Sequence, residues 1–407
     1  MNLSNGKSTL QYNKKYLIDK ILITIMLFYI LIPPYIKSIL DENSFIRKII
    51  IFLFILVAGS IIVFNKIKVD KYLIWISISY IFLIISTIRN NGRVYDSIIS
   101  SFMVVIICLV ITIAKYKSYL SNILIYSIRN VTFYIFLLNT IISIFMPYGL
   151  NRMVSTSSPE FLYGNINSNF KYIIPGLICS ILIDKKQNKS ISFITFFFYI
   201  GTLYTYFFIY QTMTAILGLL IIVIWMGFRK FIEKNIFIIF SGVVVIIILF
   251  NIVIVSNSDS NLSLFFIKLF GKNETLNNRT YLWNNTINLI HNNILLGYGF
   301  QSEDFIGINI GNYYGSHNYY LDLIFSRGIL GSIFIFILIL SINKKIYNLQ
   351  CLTDFEYILL GITVVYLFMF LFEPFINYER FFVPLFYILN RELFISKFKY
   401  KVNLNEK

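Results

Sequence analysis

The sequence predicts an all-α fold: a polytopic transmembrane helical bundle of about 12 spans, with one long extracytoplasmic loop that contains a short amphipathic helix. Three observations carry this expectation. Of 407 residues, 57% are hydrophobic and only 13% are charged, with a mean hydropathy of +0.74; soluble proteins carry about 25% charged residues. Runs of about 20 predominantly apolar residues, the length a membrane helix needs, recur along nearly the whole chain. Basic residues collect in every second connection between those runs, the positive-inside pattern. A soluble enzyme is thereby excluded. The 30 Tyr and 41 Phe suit lipid-facing surfaces and interfacial aromatic belts.

The first element follows a polar, basic start that ends at Lys20 and runs apolar across Pro33-Pro34 without a small-residue cleavage site. It reads as an uncleaved first helix rather than a removable signal. Apolar runs then fall at 17–36, 46–64, 72–89, 97–114, 123–146, 170–183, 191–209, 212–228, 235–255, 318–341, 356–372 and 380–396. The stretch from 191 to 228 is divided at Tyr210-Gln211-Thr212 because the orientation pattern requires two spans there. With both termini cytoplasmic, the inner connections carry Lys66, Lys68 and Lys71, then Lys115 and Lys117, then Lys185, Lys186 and Lys189. Arg229, Lys230, Lys234, Lys344 and Lys345 continue the series. The organisation is residues 1–255 as spans 1–9, residues 256–317 as an extracytoplasmic catalytic loop, and residues 318–407 as spans 10–12.

Charge and cysteine usage narrow the partners. The net charge of +16 is explained by basic cytoplasmic loops, and no basic stripe is long enough to track a phosphate backbone, so no nucleic acid is expected. Cys108, Cys179 and Cys351 form no paired spacing, so neither a disulfide framework nor a zinc site is indicated. Lysines satisfy the orientation signal, whereas Arg47, Arg89, Arg93, Arg152, Arg279, Arg327 and Arg380 fall on or near the outer side. A guanidinium fork suits phosphate or carboxylate groups; contact with phospholipid headgroups is the plainer explanation for about half of them.

The long outer loop holds the remaining signals. A helix is expected from Arg279 to Ile290, with Asn277 or Asn278 as N-cap. Leu282, Thr286 and Ile290 share one face, and Arg279 and Trp283 lie on another. Gly297-Tyr298-Gly299 signals a turn. Both histidines, His291 and His317, are in this loop, and His317 stands at the mouth of the tenth span. Histidine is the side chain best suited to act as a base near neutral pH; an interfacial polar histidine is the plainer alternative for each. No phosphate loop, dinucleotide fingerprint or His-Glu-x-x-His motif is present, and Glu303-Asp304, the only adjacent outer acidic pair, reads as a solvated turn. No metal and no cofactor are expected. Arginines would have to stabilise any anionic leaving group.

These motifs resemble a known family. Arg279-x-x-x-Trp283, Gly297-x-Gly299, His317-Asn318-x-x-Leu321 and Arg327-Gly328-x-x-Gly331 are similar in order and spacing to the signature region of the O-antigen ligase and O-antigen polymerase superfamily. Gly164-Asn165-Ile166-Asn167 stands where that family has a Gly-x-x-Asn element before a span. The family's Ser-Arg at the outer end of a later helix is replaced here by Thr212-Met213, so one phosphate-contacting arginine is missing; Arg89, Arg93, Arg152 or Arg380 are its candidate substitutes.

The resemblance implies metal-independent glycosyl transfer from a polyprenyl-diphosphate-linked oligosaccharide at the outer face of a bacterial plasma membrane. It implies His317 as general base and Arg279 as the group that neutralises the departing diphosphate. Asn318 would orient His317 or bind sugar hydroxyls, Trp283 would stack on a sugar ring or anchor at the interface, and Arg327 would be an intramembrane-edge functional charge. Gly328 and Gly331 are read as sites of close helix packing. The leading expectation is a polymerase of O-antigen or capsule repeat units, with membrane lipid and a chain-length regulator as further partners. A ligase that moves finished glycan to lipid A-core is the alternative within the same chemistry. A flippase or other transporter is the alternative of another class; it predicts internal repeats and polar breaks near the midplane, and neither is visible.

Overall fold

The computed structural model describes residues 16–25, 27, 31–36, 39, 49, 51–52, 55–56, 59–60, 70–116, 118–150, 159–165, 169–187, 190–210, 212–255, 279–311, 315–347, 352–373 and 379–390. Arg47, Arg152, Asn277, Asn278, Cys351 and the pair Ile166-Asn167 lie outside the described residues. The fold is all-α, as composition demands of backbone that must satisfy its own hydrogen bonds in lipid. In order come α1 (Lys71–Arg89), α2 (Val94–Tyr116), α3 (Ser118–Phe145), α4 (Phe170–Lys186), α5 (Phe193–Tyr204), α6 (Met213–Gly227) and α7 (Arg229–Lys234). Then follow α8 (Ile236–Phe250), α9 (Arg279–Asn292), α10 (Glu303–Ile310), α11 (Tyr319–Tyr347), α12 (Asp354–Met369) and α13 (Glu379–Leu389). A two-residue antiparallel hairpin, β1 (Glu160–Phe161) and β2 (Gly164–Asn165), precedes α4. Gly164 and Asn165 of the expected Gly-x-x-Asn element therefore form a strand.

Among the described residues, five helical stretches are long and apolar enough to cross a membrane: α1, Val94–Thr112, Asn122–Phe145, Ile236–Val253 and α11. Phe193–Ile209 and Thr214–Gly227 are shorter apolar helices, divided where the sequence suggested. The apolar runs at 170–183, 356–372 and 380–396 correspond to helices of 17, 16 and 11 residues. Two of them carry prolines or end charges: α4 has Lys171 at one end, Lys185 and Lys186 at the other and Pro175 inside, and α13 contains Pro384. Large apolar side chains face outward from the bundle, among them Phe193, Phe208, Ile238 and Ile246, as a lipid-facing surface requires.

Packing runs antiparallel and brings like ends together. Along α1 and α11, Lys345 lies over the Tyr72 ring, Phe82 stacks on Phe334, and a Cβ at Gly331 would press on Phe82 at 2.8 Å. Gly331 thus serves the close helix packing expected of it. Gly361 of α12 does the same against Trp225 of α6, whose indole donates to the Tyr357 carbonyl. The basic connections gather at one end of the bundle. There Lys186 reaches Asn122, and Arg229 pairs with both Glu233 and Asp354. The second pair holds the Arg229 guanidinium above its usual value.

Candidate active site

The opposite end of the bundle is built by α9, the start of α11, the end of α12 and the start of α4. Helix α9 spans Arg279–Asn292 as the sequence suggested, and Leu282, Thr286 and Ile290 are its buried face. Trp283 is buried with them, edge-on to Phe250, so in this conformation its ring packs rather than faces a cavity. His291 is exposed at the far end of α9.

The segment between α10 and α11 shapes the position of His317. Gly315 has φ +94 and His317 has φ +56, a left-handed backbone that few non-glycine residues adopt without strain. The buried Asp322 carboxylate holds this bend from within, accepting from the Ser316 amide at 3.0 Å and the Ser316 hydroxyl at 2.7 Å. Asn318 then caps α11. Its side-chain oxygen accepts from the Tyr320 and Leu321 amides at 2.9 and 3.2 Å, and its amide donates to Asn251 at 2.9 Å. Asn318 is fully buried. Its engagement is with the backbone that presents His317 and with Asn251, which opens the π-helical turn extending α8.

Arg279 is largely buried, and its guanidinium lies 3.8 Å from the buried Glu373 carboxylate, just beyond α12. Burial lowers its affinity for a proton and Glu373 opposes that loss. His317 is pulled down to about 4, first by burial and then by the positive charges of Arg279 and Lys171. The imidazole is accordingly neutral at pH 7 and able to accept a proton. Lys171 is 7% exposed on the first turn of α4. The end of α12 joins these elements: Tyr366 donates to the Lys171 carbonyl at 3.2 Å, and the Phe370 carbonyl accepts from the Tyr319 amide at 2.9 Å. His317, Arg279, Lys171 and Glu373 thus form one charged cluster.

Sequence reasoning singles out His317 and Arg279 and does not reach Lys171 or Glu373, which the structure brings beside them. The signal for both was present. Each is a charge at the outer end of an apolar run, and Lys171 is a lysine placed against the orientation pattern.

Arg327 lies eight residues into α11, fully buried. Its guanidinium covers the Tyr80 ring at 4.4 Å and bonds to Tyr319. Just after it α11 breaks at Gly328, with φ 61 and ψ −174. The segment after α9 fills that break. Tyr298 and Gly299 amides donate to the Phe325 and Ser326 carbonyls, and the Ile329 and Leu330 amides donate to the Ile294 and Leu295 carbonyls. Gly328 thus serves a backbone splice within one helix rather than contact between two. Irregular backbone inside a membrane protein persists only where protein satisfies it.

The outer arginines are distributed differently. Arg93 pairs with Asp96 at 2.6 Å, lies 4.0 Å from Glu303 and stacks over Phe300; Arg89 is exposed at the end of α1. Both sit beside the α10 end of the loop, where Glu303 and Asp304 form the first turn of α10. Arg380 heads α13, its side chain outside the described residues.

The stretch from α5 to the middle of α11, which holds His317, Arg279, Asn318, Trp283 and Arg327, is similar to a known family. Residues 197–336 match the O-antigen ligase family model. The match supports the O-antigen ligase and polymerase superfamily, the likeness already carried by the motifs. No curated protein and no solved structure matches the chain. The matched segment contains His317 and Arg279 but neither Lys171 nor Glu373, which α4 and the end of α12 bring to it.

Proposed function

We propose that the protein is a membrane glycosyltransferase that elongates a polysaccharide, O-antigen or capsule, from polyprenyl-diphosphate-linked repeat units at the outer face of a bacterial plasma membrane. The observation that carries this reading is the meeting of a neutral His317 and a buried Arg279 at the end of the bundle away from the basic connections, inside a segment that matches the O-antigen ligase family. In the reaction, the acceptor sugar hydroxyl loses its proton to the imidazole of His317 as its oxygen bonds to the anomeric carbon of the donor. The bond from that carbon to the diphosphate oxygen breaks, and its electron pair leaves with the lipid diphosphate, where Arg279 meets the developing charge without calling on a metal. The expected topology, about 12 spans with both termini cytoplasmic, would put this end outside the membrane.

The description of the matching family favours a second reading, a ligase that transfers finished glycan to lipid A-core or another acceptor. Purified protein in lipid, supplied with polyprenyl-diphosphate oligosaccharide, separates the two. A ladder of lengthening glycans establishes a polymerase, and transfer to lipid A-core alone establishes a ligase. His317→Ala retaining activity would remove the assigned base. Arg279→Lys is expected to lower turnover about 10- to 100-fold, because an ammonium cannot make the bidentate phosphate contact.

A further inference from the structure

The proposed chemistry asks for more positive charge than Arg279 alone provides. A diphosphate ester is already multiply anionic, and it gains a further charge as the sugar departs. Arg279 is also partly neutralised by Glu373 at 3.8 Å.

The start of α6 packs against the start of α4. Thr212 is buried and uncharged, and its hydroxyl has no hydrogen-bond partner among the described residues. One to two turns further along α6, Gly218 is packed so closely on the Phe170 ring that a Cβ there would lie 2.6 Å from it. Phe170 also meets Tyr206, on the π-helical turn before α6, edge-on at 5.5 Å. The residue next to Phe170 is Lys171.

We propose that Lys171 is the second phosphate-binding cation of this site, supplied from the first turn of α4. This rests on the glycosyl-transfer reading given above. The placement has three supports. Lys171 is a nearly buried ammonium in an otherwise apolar segment, a costly position that marks a functional charge in a membrane protein. Its backbone is tied by Tyr366 to the same end of α12 that holds Tyr319 and Glu373. Its positive charge acts on His317 together with that of Arg279. Lys171 lies outside the segment that matches the family, so α4 brings it to the site by packing rather than by the matched motif. An ammonium is a compact point charge without the planar fork of a guanidinium. It would contact one phosphate while Arg279 engages the other.

The test measures binding of sugar-free polyprenyl diphosphate to the full-length protein in nanodiscs, alongside glycan transfer, for wild type, Lys171→Met and Lys171→Arg. Lys171→Met is expected to weaken binding about 10- to 100-fold, as the loss of one charge-assisted hydrogen bond predicts, and Lys171→Arg is expected to restore most of it. Lys171→Met should also move the acid limb of kcat/KM upward, because removing a neighbouring positive charge raises the pKa of His317. Lys171→Arg, which keeps the charge, should leave that limb in place. Should Lys171→Met fail to fold, Lys171→Gln carries the same comparison. Wild-type binding and an unmoved limb in a folded Lys171→Met protein would overturn the assignment while leaving the transfer reading intact. Wild type that neither binds the diphosphate nor transfers glycan would overturn both.

Discussion

At the residue scale, His317 combines an unfavourable backbone with a useful ring. Its φ of +56 is held by the Ser316–Asp322 hydrogen bonds before it and the Asn318 cap after it. Asn tolerates the left-handed region better than Ala. His317→Asn is therefore expected to fold with thermal stability close to wild type and to lose transfer, whereas His317→Ala should lose transfer and also about 1 kcal/mol of stability. Denaturation in detergent beside an activity assay reads both outcomes. The pH dependence follows from the same environment. His317 faces Arg279 on α9 and Lys171 on α4, with Glu373 beside Arg279 and Asp322 behind Ser316. Because its folded pKa is depressed to about 4, below the unfolded value of about 6.5, neutral His317 favours the folded state. That contribution is present above the unfolded value and is lost as pH falls through the folded one. The base itself stays neutral over the same range, so kcat/KM should hold through mildly acidic pH and fall toward about 4. An acid limb near 6.5 in wild type would show that His317 is not the desolvated base.

At the element scale, the broken α11 is the feature on which the site depends. Its first segment carries Asn318 and Arg327, its second carries the packing face against α1, and the Gly297–Gly299 turn is spliced between them. The turn is pinned on its other side by Ser86 and Asn90 of α1, which donate to the Gly297 carbonyl at 2.7 and 3.0 Å. Gly328 sits in a region of backbone space that is nearly glycine-only, and a Cβ there would overlap the Leu295 carbonyl. Gly328→Ala is expected to cost several kcal/mol, enough to abolish cooperative folding or transfer. A Cβ at Gly331 would press on the Cβ atoms of Arg327 and Phe82 at 2.7 and 2.8 Å, but its backbone stays helical and no carbonyl is overlapped, so Gly331→Ala should cost less. Thermal melts of the two variants check the order; equal melts would show that the splice does not hold the site.

At the scale of the whole molecule, the two ends of the bundle differ in chemistry. One gathers the basic connections around Lys186, Arg229 and Lys345, and the other gathers His317, Arg279, Lys171 and Glu373. If the first end is cytoplasmic, as the positive-inside pattern implies, exposed positions at the two ends should be reached from opposite sides. In a Cys351→Ser background, Glu303→Cys should react with a membrane-impermeant maleimide on intact cells, and Lys344→Cys only after permeabilisation. The buried native Cys108 and Cys179 should stay silent. The reverse labelling pattern would invert the orientation and remove the extracytoplasmic site.

The sequence by itself determined what depends on local pattern and composition. Apolar runs dictated helices, the Arg279–Ile290 periodicity dictated α9 and its buried face, and the spacing from Arg279 to Gly331 carried the likeness to the O-antigen ligases. His317 was legible because a histidine flanked by Gly, Ser and Asn at the mouth of an apolar run is a rare arrangement in a chain with 2 His. Only the tertiary structure decided the rest. Asn318 was read as a ligand for His317 or sugar, but capping is a matter of which amides its oxygen faces. Trp283 was read as a stacking platform or interface anchor, but its burial depends on Phe250 of a different helix. Gly328 was read as a packing residue, and its backbone break appears only when the turn after α9 fills it. Lys171 and Glu373 lie about a hundred residues or more from Arg279 along the chain, and no local period links them. They join the site because antiparallel packing brings the start of α4 and the end of α12 to the same end of the bundle, and that long-range pairing is written in helix contacts rather than in any motif.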